Sequence, residues 1–390
     1  MKMDNIGLRF GLSYFLFFAI YGIASPYLQI MLRGIGYSPS AVGILLGVFE
    51  LIGIGGPIIL ARKADFMGKY NPFLMGSGFS IILGLLVLIV FKTPLATVVS
   101  LGLISLGLKT PIPVLDASLI KTIEARAQSK TKIPTYGTLR SLGSAGYVLV
   151  AMSVQFIPGF DTSPVWVMAL AMAAITLTYM LGLTWLPETG SGEQADRNKK
   201  VNLSWVDSSF ILGLSIIALS RLSMSAYASF FSLYLMEYLN WHAIGAMSAL
   251  AAVVEIPMLV LSWKIMKKRS PIAIIELAAI ATIVRLLAYA LVPTKTGVIV
   301  GQLLHAISYG LFYPAAIAFI SLKTPPSDRA TGIALLLGLG IGLPFFLGST
   351  FGGIIVEFLG YRWLFAIFSL FSVASIILYR CKGKHLKTIR

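Results

Sequence analysis

Apolar residues run through this chain in blocks of near twenty, separated by short polar stretches. Each block has the length needed to cross a hydrocarbon layer of about 30 Å as a helix. Twelve such spans are predicted, at 8–33, 41–61, 72–91, 94–120, 137–157, 164–186, 207–238, 243–265, 271–292, 296–322, 331–355 and 361–380. Blocks of this length exclude a porin-like barrel, whose strands need only about ten residues. The apolar run after Lys2 and Arg9 continues to about Leu32 without a clear cleavage site, so it reads as a first spanning helix and not as a leader.

The longest polar stretch, Pro187 to about Trp205, reads as a flexible linker. It divides the chain into an N-terminal six-helix half (1–186), a cytoplasmic linker (187–206) and a C-terminal six-helix half with a short basic tail (207–390). The halves echo each other faintly: Gly36-Tyr37 corresponds to Asn240-Trp241, and Pro113 to Pro314. Two parallel six-helix halves around a midplane cavity are what alternating access by rocking requires. The expected fold is an all-α membrane protein of twelve transmembrane helices in two pseudo-symmetric halves.

Composition sharpens this reading. Of 390 residues 57% are hydrophobic and only 12% charged, which places the chain in lipid. The net charge of +16 raises the question of a nucleic-acid partner, but its distribution answers it. With a cytoplasmic N-terminus, 23 of the 31 Lys and Arg fall in cytoplasmic segments, against Arg33, Lys92, Lys295 and Arg362 outside. This positive-inside bias puts both termini in the cytoplasm of a cell whose inner membrane holds the protein. The basic excess sets topology and touches anionic lipid; no nucleic acid is expected. The single cysteine, Cys381, rules out an intrachain disulfide and a cysteine-based metal site. Neither a metal nor a cofactor is expected.

A charge inside a bilayer is costly unless paired or hydrated, so each one is a functional candidate. Asp116, Arg140, Glu255, Arg285 and His305 lead, with Lys109, Glu50 and Arg221 behind them; Glu50, Arg221 and Glu276 read equally well as structural ion pairs or as groups near an interface. Lys109 and Asp116, seven residues apart, share a helical face, and Pro111 and Pro113 between them loosen that helix and free backbone carbonyls. Tyr14, Phe18, Tyr21 and Ser25 repeat on one face of the first helix, as a cavity lining or as aromatic packing. Gly338, Gly342, Gly348 and Gly352 in the eleventh span, and Gly137, Gly143 and Gly146 in the fifth, suit close helix packing or a hinge.

The segment Tyr136-Gly137-Thr138-Leu139-Arg140-Ser141-Leu142-Gly143-Ser144, with Asp116 upstream, resembles the fourth-to-fifth-helix region of the lactose permease, phenylpropionate permease and nucleoside permease group of the major facilitator superfamily. The first helix and its exit, with Tyr21-Gly22, Pro26 and Leu32-Arg33-Gly34-Ile35-Gly36, are similar to the phenylpropionate branch. The resemblance implies that Asp116 and Arg140 bind substrate; Lys109, on the helical face of Asp116, and Tyr21, on the aromatic face of the first helix, are read as joining them. It implies that Glu255 joins substrate recognition to proton coupling, with Arg285 and His305 in the coupling cluster. The loop Ala61 to Lys69 resembles the superfamily loop between helices two and three, where Asp65 with Gly68 stabilises one conformation. Two positions depart from lactose permease: Ser308 stands where that protein has a proton-carrying glutamate, and Gln302 where it has a lysine. Galactoside transport by the same relay is therefore not expected.

The function read from the sequence is secondary active transport of a small organic solute by proton symport. Cationic groups (Lys109, Arg140, Arg221, Arg285, His305) outnumber Glu50, Asp116 and Glu255, which favours an organic or aromatic acid. Desolvation favours the neutral form of a carboxyl group, which makes Glu255 and Asp116 candidate proton carriers. A sugar or nucleoside permease, an efflux carrier of the same fold, and a non-transporting sensor or scaffold stay open as alternatives. No H-E-x-x-H pair, nucleophile elbow or Walker A loop occurs, so an enzyme or a self-contained ATP-driven pump is not expected. The expected partners are a small-molecule substrate, protons and membrane lipids, with the chain working as a monomer.

Overall fold

In the lipid interior a backbone amide finds no water, so each apolar run must close its own hydrogen bonds as a helix. The computed structural model describes residues 5–128, 136–183, 203–325, 328–383 and 386, and its described residues are helical apart from short connections. The first seven helices are α1 (Asn5–Ile35), α2 (Pro39–Met67), α3 (Asn71–Val90), α4 (Pro94–Lys109), α5 (Pro111–Gln128), α6 (Tyr136–Gln155) and α7 (Val165–Leu183). They are followed by α8 (Ser208–Leu233), α9 (Ile244–Met266), α10 (Pro271–Leu291), α11 (Lys295–Leu303), α12 (Phe312–Lys323), α13 (Arg329–Leu335), α14 (Leu343–Leu359) and α15 (Tyr361–Lys382). Three π-helical turns, Tyr234–Tyr238, Ala306–Leu311 and Leu336–Gly342, follow α8, precede α12 and precede α14.

Eleven helices among the described residues are long and apolar enough to cross a membrane, and α6, of 20 residues, occupies the fifth predicted span. The chain is thus an all-α multi-pass membrane protein. Helix ends follow local chemistry. Asp207 caps α8 by accepting from Phe210 N at 2.6 Å, and Thr93 and Thr294 cap α4 and α11. Gly36 and Asn240, paired by the faint sequence repeat, both take left-handed backbone angles, with φ of 110° and 46°. Asn240 is the one non-glycine residue to do so among the described residues. Pro113 and Pro314 also match, each sitting third in a helix that follows an interruption. Most of the predicted linker and of the loop from Ile123 to Thr135 lies outside the described residues, as do most of the basic tail and the side chain of Asp65.

The chain divides into two compact units, Met1–Ile35 with Ile52–Lys199, and Gly36–Leu51 with Lys200–Arg390. Small residues set the packing inside each, as expected where lipid supplies little force to hold helices together. In the first unit a Cβ on Gly146 would collide with the Phe15 carbonyl, so α6 lies directly on the α1 backbone. Ser100 Oγ and Ser80 Oγ tie α4 to α3 through the carbonyls of Gly84 and Leu103, each at 2.7 Å. In the second unit Gly348 and Gly352 of α14 face Ser225 and Phe230 of α8, and the Ser229 and Ser349 hydroxyls meet at 2.6 Å. Gly348 and Gly352 of the eleventh span therefore serve close packing.

Candidate functional site

In the first unit the polar candidates gather against the aromatic face of α1. Tyr14, fully buried, donates its hydroxyl proton to Asp116 Oδ1 at 2.6 Å. The Arg140 guanidinium lies 4.0 Å from the Phe18 ring centroid and 5.7 Å from that of Tyr14, a cation–π arrangement. Gly143 leaves the space for it, because a Cβ there would come within 2.7 Å of the Phe18 ring and 3.3 Å of Arg140 Nη1. Asp116 from α5 and Arg140 from α6 thus both reach the Tyr14–Phe18 face of α1, although 24 positions separate them in sequence. Tyr21 donates to the Leu108 carbonyl at 3.0 Å, next to the interruption at Thr110 where Pro111 and Pro113 remove two backbone donors. Lys109 extends over Gly53 of α2, so the two charges on this helix face look toward different neighbours.

In the second unit the centre is Arg285 of α10, which has no exposed surface. Its Nε donates to the Tyr289 hydroxyl at 2.9 Å, Nη2 to Gln302 Oε1 at 2.6 Å, and Nη1 to the Ser308 hydroxyl at 3.4 Å. Nη1 also meets His305 Nδ1 at 2.7 Å, and the guanidinium carbon stands 3.7 Å from the Tyr227 ring centroid. A guanidinium only donates, so Nδ1 must accept. The one proton of a neutral His305 is then on Nε2, which faces Glu255 Oε2 at 3.5 Å. Glu255, His305 and Arg285 therefore form a chain in which each group fixes the next. Gly310, in the π-helical turn, lies against Glu255, and Gly301 leaves room for Tyr289.

The remaining candidates are dispersed. Glu276 pairs with Arg380 at 2.8 Å, a partly exposed bridge between α10 and α15. Gly68 takes a φ of 63° just beyond the end of α2. Arg221 is fully buried, with Nη2 on the Ser308 carbonyl at 3.1 Å, and Arg285 reaches the hydroxyl of the same residue. Tyr289 and Tyr227, both against Arg285, are not singled out by the sequence. A Tyr four residues after an Arg on one helix is the signal that would have found Tyr289; nothing local in the sequence points to Tyr227.

Buried ionisable groups on membrane-spanning helices, held by polar neighbours, mark a functional site of the kind that membrane transport proteins carry. The chain belongs to the MFS_1 like family, whose model matches residues 8–367, and so to the transporters of the major facilitator superfamily. It is 24% identical over 369 residues to a probable 3-phenylpropionic acid transporter of Escherichia coli (strain K12), covering 92% of this chain and 94% of that one. It is 23% identical to the maltose permease of Geobacillus stearothermophilus over 94% and 91% of the two chains. A solved structure of a point mutant of the nucleoside transporter NupG superposes with a TM-score of 0.83 at 16% identity, covering 97% of this chain and 99% of that one.

Proposed function

We propose that this transporter carries a small organic acid, an aromatic carboxylate in first place, across the cytoplasmic membrane by alternating access with co-transported protons. The observation that carries the reading is the chain Glu255–His305–Arg285, in which a carboxylate reaches a buried guanidinium only through an imidazole. A proton taken by Glu255 removes the charge that His305 Nε2–H points at, and the arginine cluster is left to a substrate carboxylate. Proton and anion then favour the same facing of the protein, which is what symport demands. The chain is taken to work as a monomer with both termini in the cytoplasm. Asp116, Arg140, Lys109 and Tyr21, with Glu255, are taken as substrate-binding residues, and Asp65 with Gly68 is taken to bias the conformation. The likeness to a probable 3-phenylpropionic acid transporter supports the substrate class.

The test is uptake of radiolabelled 3-phenylpropionate by proteoliposomes under an inward proton gradient. Wild type should concentrate it, whereas Glu255→Gln should lose concentrative uptake and keep exchange between preloaded and external solute. A Glu255→Gln variant that still concentrates the acid takes the proton site elsewhere. Tyr14→Phe removes one hydrogen bond to a charged group, worth about 1.5–3 kcal/mol, so KM should rise about tenfold or more with the fold intact. An unchanged KM removes the Tyr14–Asp116 pair from the substrate site. That pair, which also suits a neutral hydroxylated solute, favours a second reading as a sugar or nucleoside carrier. Competition of uptake by maltose and uridine separates the two.

A further inference from the structure

Two buried guanidiniums converge on one small residue. Arg221 of α8 donates to the Ser308 carbonyl at 3.1 Å, and Arg285 of α10 to the Ser308 hydroxyl at 3.4 Å. Arg221 is 2% exposed and Arg285 0%. Among the described residues neither has a carboxylate within ion-pair distance; Glu255 lies one step removed, behind His305. Arg221 rests instead on the face of Phe312, with 3.3 Å from its central carbon to the ring centroid, and among the described residues its Nε has no hydrogen-bond partner. Gln302, whose Oε1 accepts from Arg285, has its Nε2 likewise without a partner. Both idle groups are donors, so what this cluster lacks is acceptor oxygen and negative charge. A buried cation without a counter-ion is strongly unfavourable, and a bidentate carboxylate is the ligand that matches a guanidinium fork.

We propose that Arg221, with Arg285 beside it, receives the carboxylate of the transported acid in the second unit and selects for the anion. This rests on the organic-acid reading above and adds a residue and a geometry to it. One carboxylate oxygen takes the place of the Ser308 carbonyl on Arg221, and the other takes the place of the Ser308 hydroxyl on Arg285. The aryl part of such a substrate has a matching surface close by. The rings of His305, Tyr309 and Tyr313 form a column, stacked at 5.1 Å and 8°, then at 6.4 Å and 14°. The Tyr309 and Tyr313 side chains are only partly buried, and His305 and Glu255 keep 11% and 18% side-chain exposure, so the cluster borders open space on this side.

The test compares 3-phenylpropionate with its uncharged isostere 3-phenylpropionamide, by calorimetric binding to the detergent-purified full chain. Wild type should prefer the acid, and Arg221→Gln should weaken acid binding by about thirtyfold or more while leaving the amide unchanged. Arg221→Lys should recover part of the loss, because it restores charge without the fork. Ser308→Asp supplies an internal counter-ion to both arginines, so it should raise the melting temperature and abolish acid binding. This second variant keeps the proposal exposed to failure even where Arg221→Gln does not fold. Wild-type affinity for the acid in either Arg221→Gln or Ser308→Asp overturns the Arg221 assignment and leaves the organic-acid reading standing. A wild type that binds maltose or uridine, or nothing in the panel, but no carboxylate overturns both.

Discussion

Arg285→Gln is expected to bring proton-driven accumulation in proteoliposomes down to the level of empty vesicles. Arg285 binds His305, Gln302, Ser308 and Tyr289 at once, and its bond to Nδ1 is what directs the His305 proton toward Glu255. Two lost bonds from a charged donor, at about 1.5–3 kcal/mol each, amount to about a hundredfold in rate or more. Arg285→Lys keeps the charge but presents a point charge where a planar fork spans four acceptors, and it should not restore accumulation. Recovery by lysine above about a tenth of the wild-type rate would mean that charge alone matters and the geometry does not.

The second large effect is steric and concerns one methyl group. Gly146→Ala places a Cβ on the Phe15 carbonyl and within 2.8 Å of its carbon, and a backbone atom cannot swing aside as a side chain can. Overpacking of this kind costs about 1–3 kcal/mol, so the melting temperature in detergent should fall by about 5 °C. Because α1 carries Tyr14 and Phe18, a displaced α1 also moves Tyr14 off Asp116 and Phe18 off Arg140, and transport should fall with stability. Gly55→Ala is the control: a Cβ there meets nothing within 4 Å, and wild-type melting is expected. Equal behaviour of the two variants would show that α1 and α6 are not held at backbone contact.

The helices were legible in the sequence because hydropathy changes abruptly where a span leaves hydrocarbon. The span predicted at 271–292 is Pro271–Leu291, and that predicted at 207–238 ends with the turn Tyr234–Tyr238. The convergence on Arg285 was only partly legible. His305 stands out as a rare ionisable residue in an apolar block, but Gln302 and Ser308 are neutral and common, and their role exists only once α10 and α11 are side by side. For Arg221 the sequence leaves a functional charge and a structural ion pair or interfacial group equally open; its burial, without an acid partner among the described residues, is a property of the packing. Tyr14 had the right spacing for a cavity face, yet spacing does not say which of several tyrosines finds a carboxylate.

The π-helical turns were invisible to hydropathy for a different reason: a spare residue changes no composition. Each acts as a slip in the phase of its helix, since one residue turns a helix by about 100°. Leu336–Gly342 sets the azimuth at which Gly348 and Gly352 reach α8, and Ala306–Leu311 sets that of everything from Phe312 onward. Shortening either stretch by a single residue would leave the hydrophobic length of the span almost untouched while rotating its downstream face away from its partners. In this chain the reading that matters between α11 and α12 is therefore angular, and a deletion there acts as a frameshift written in degrees.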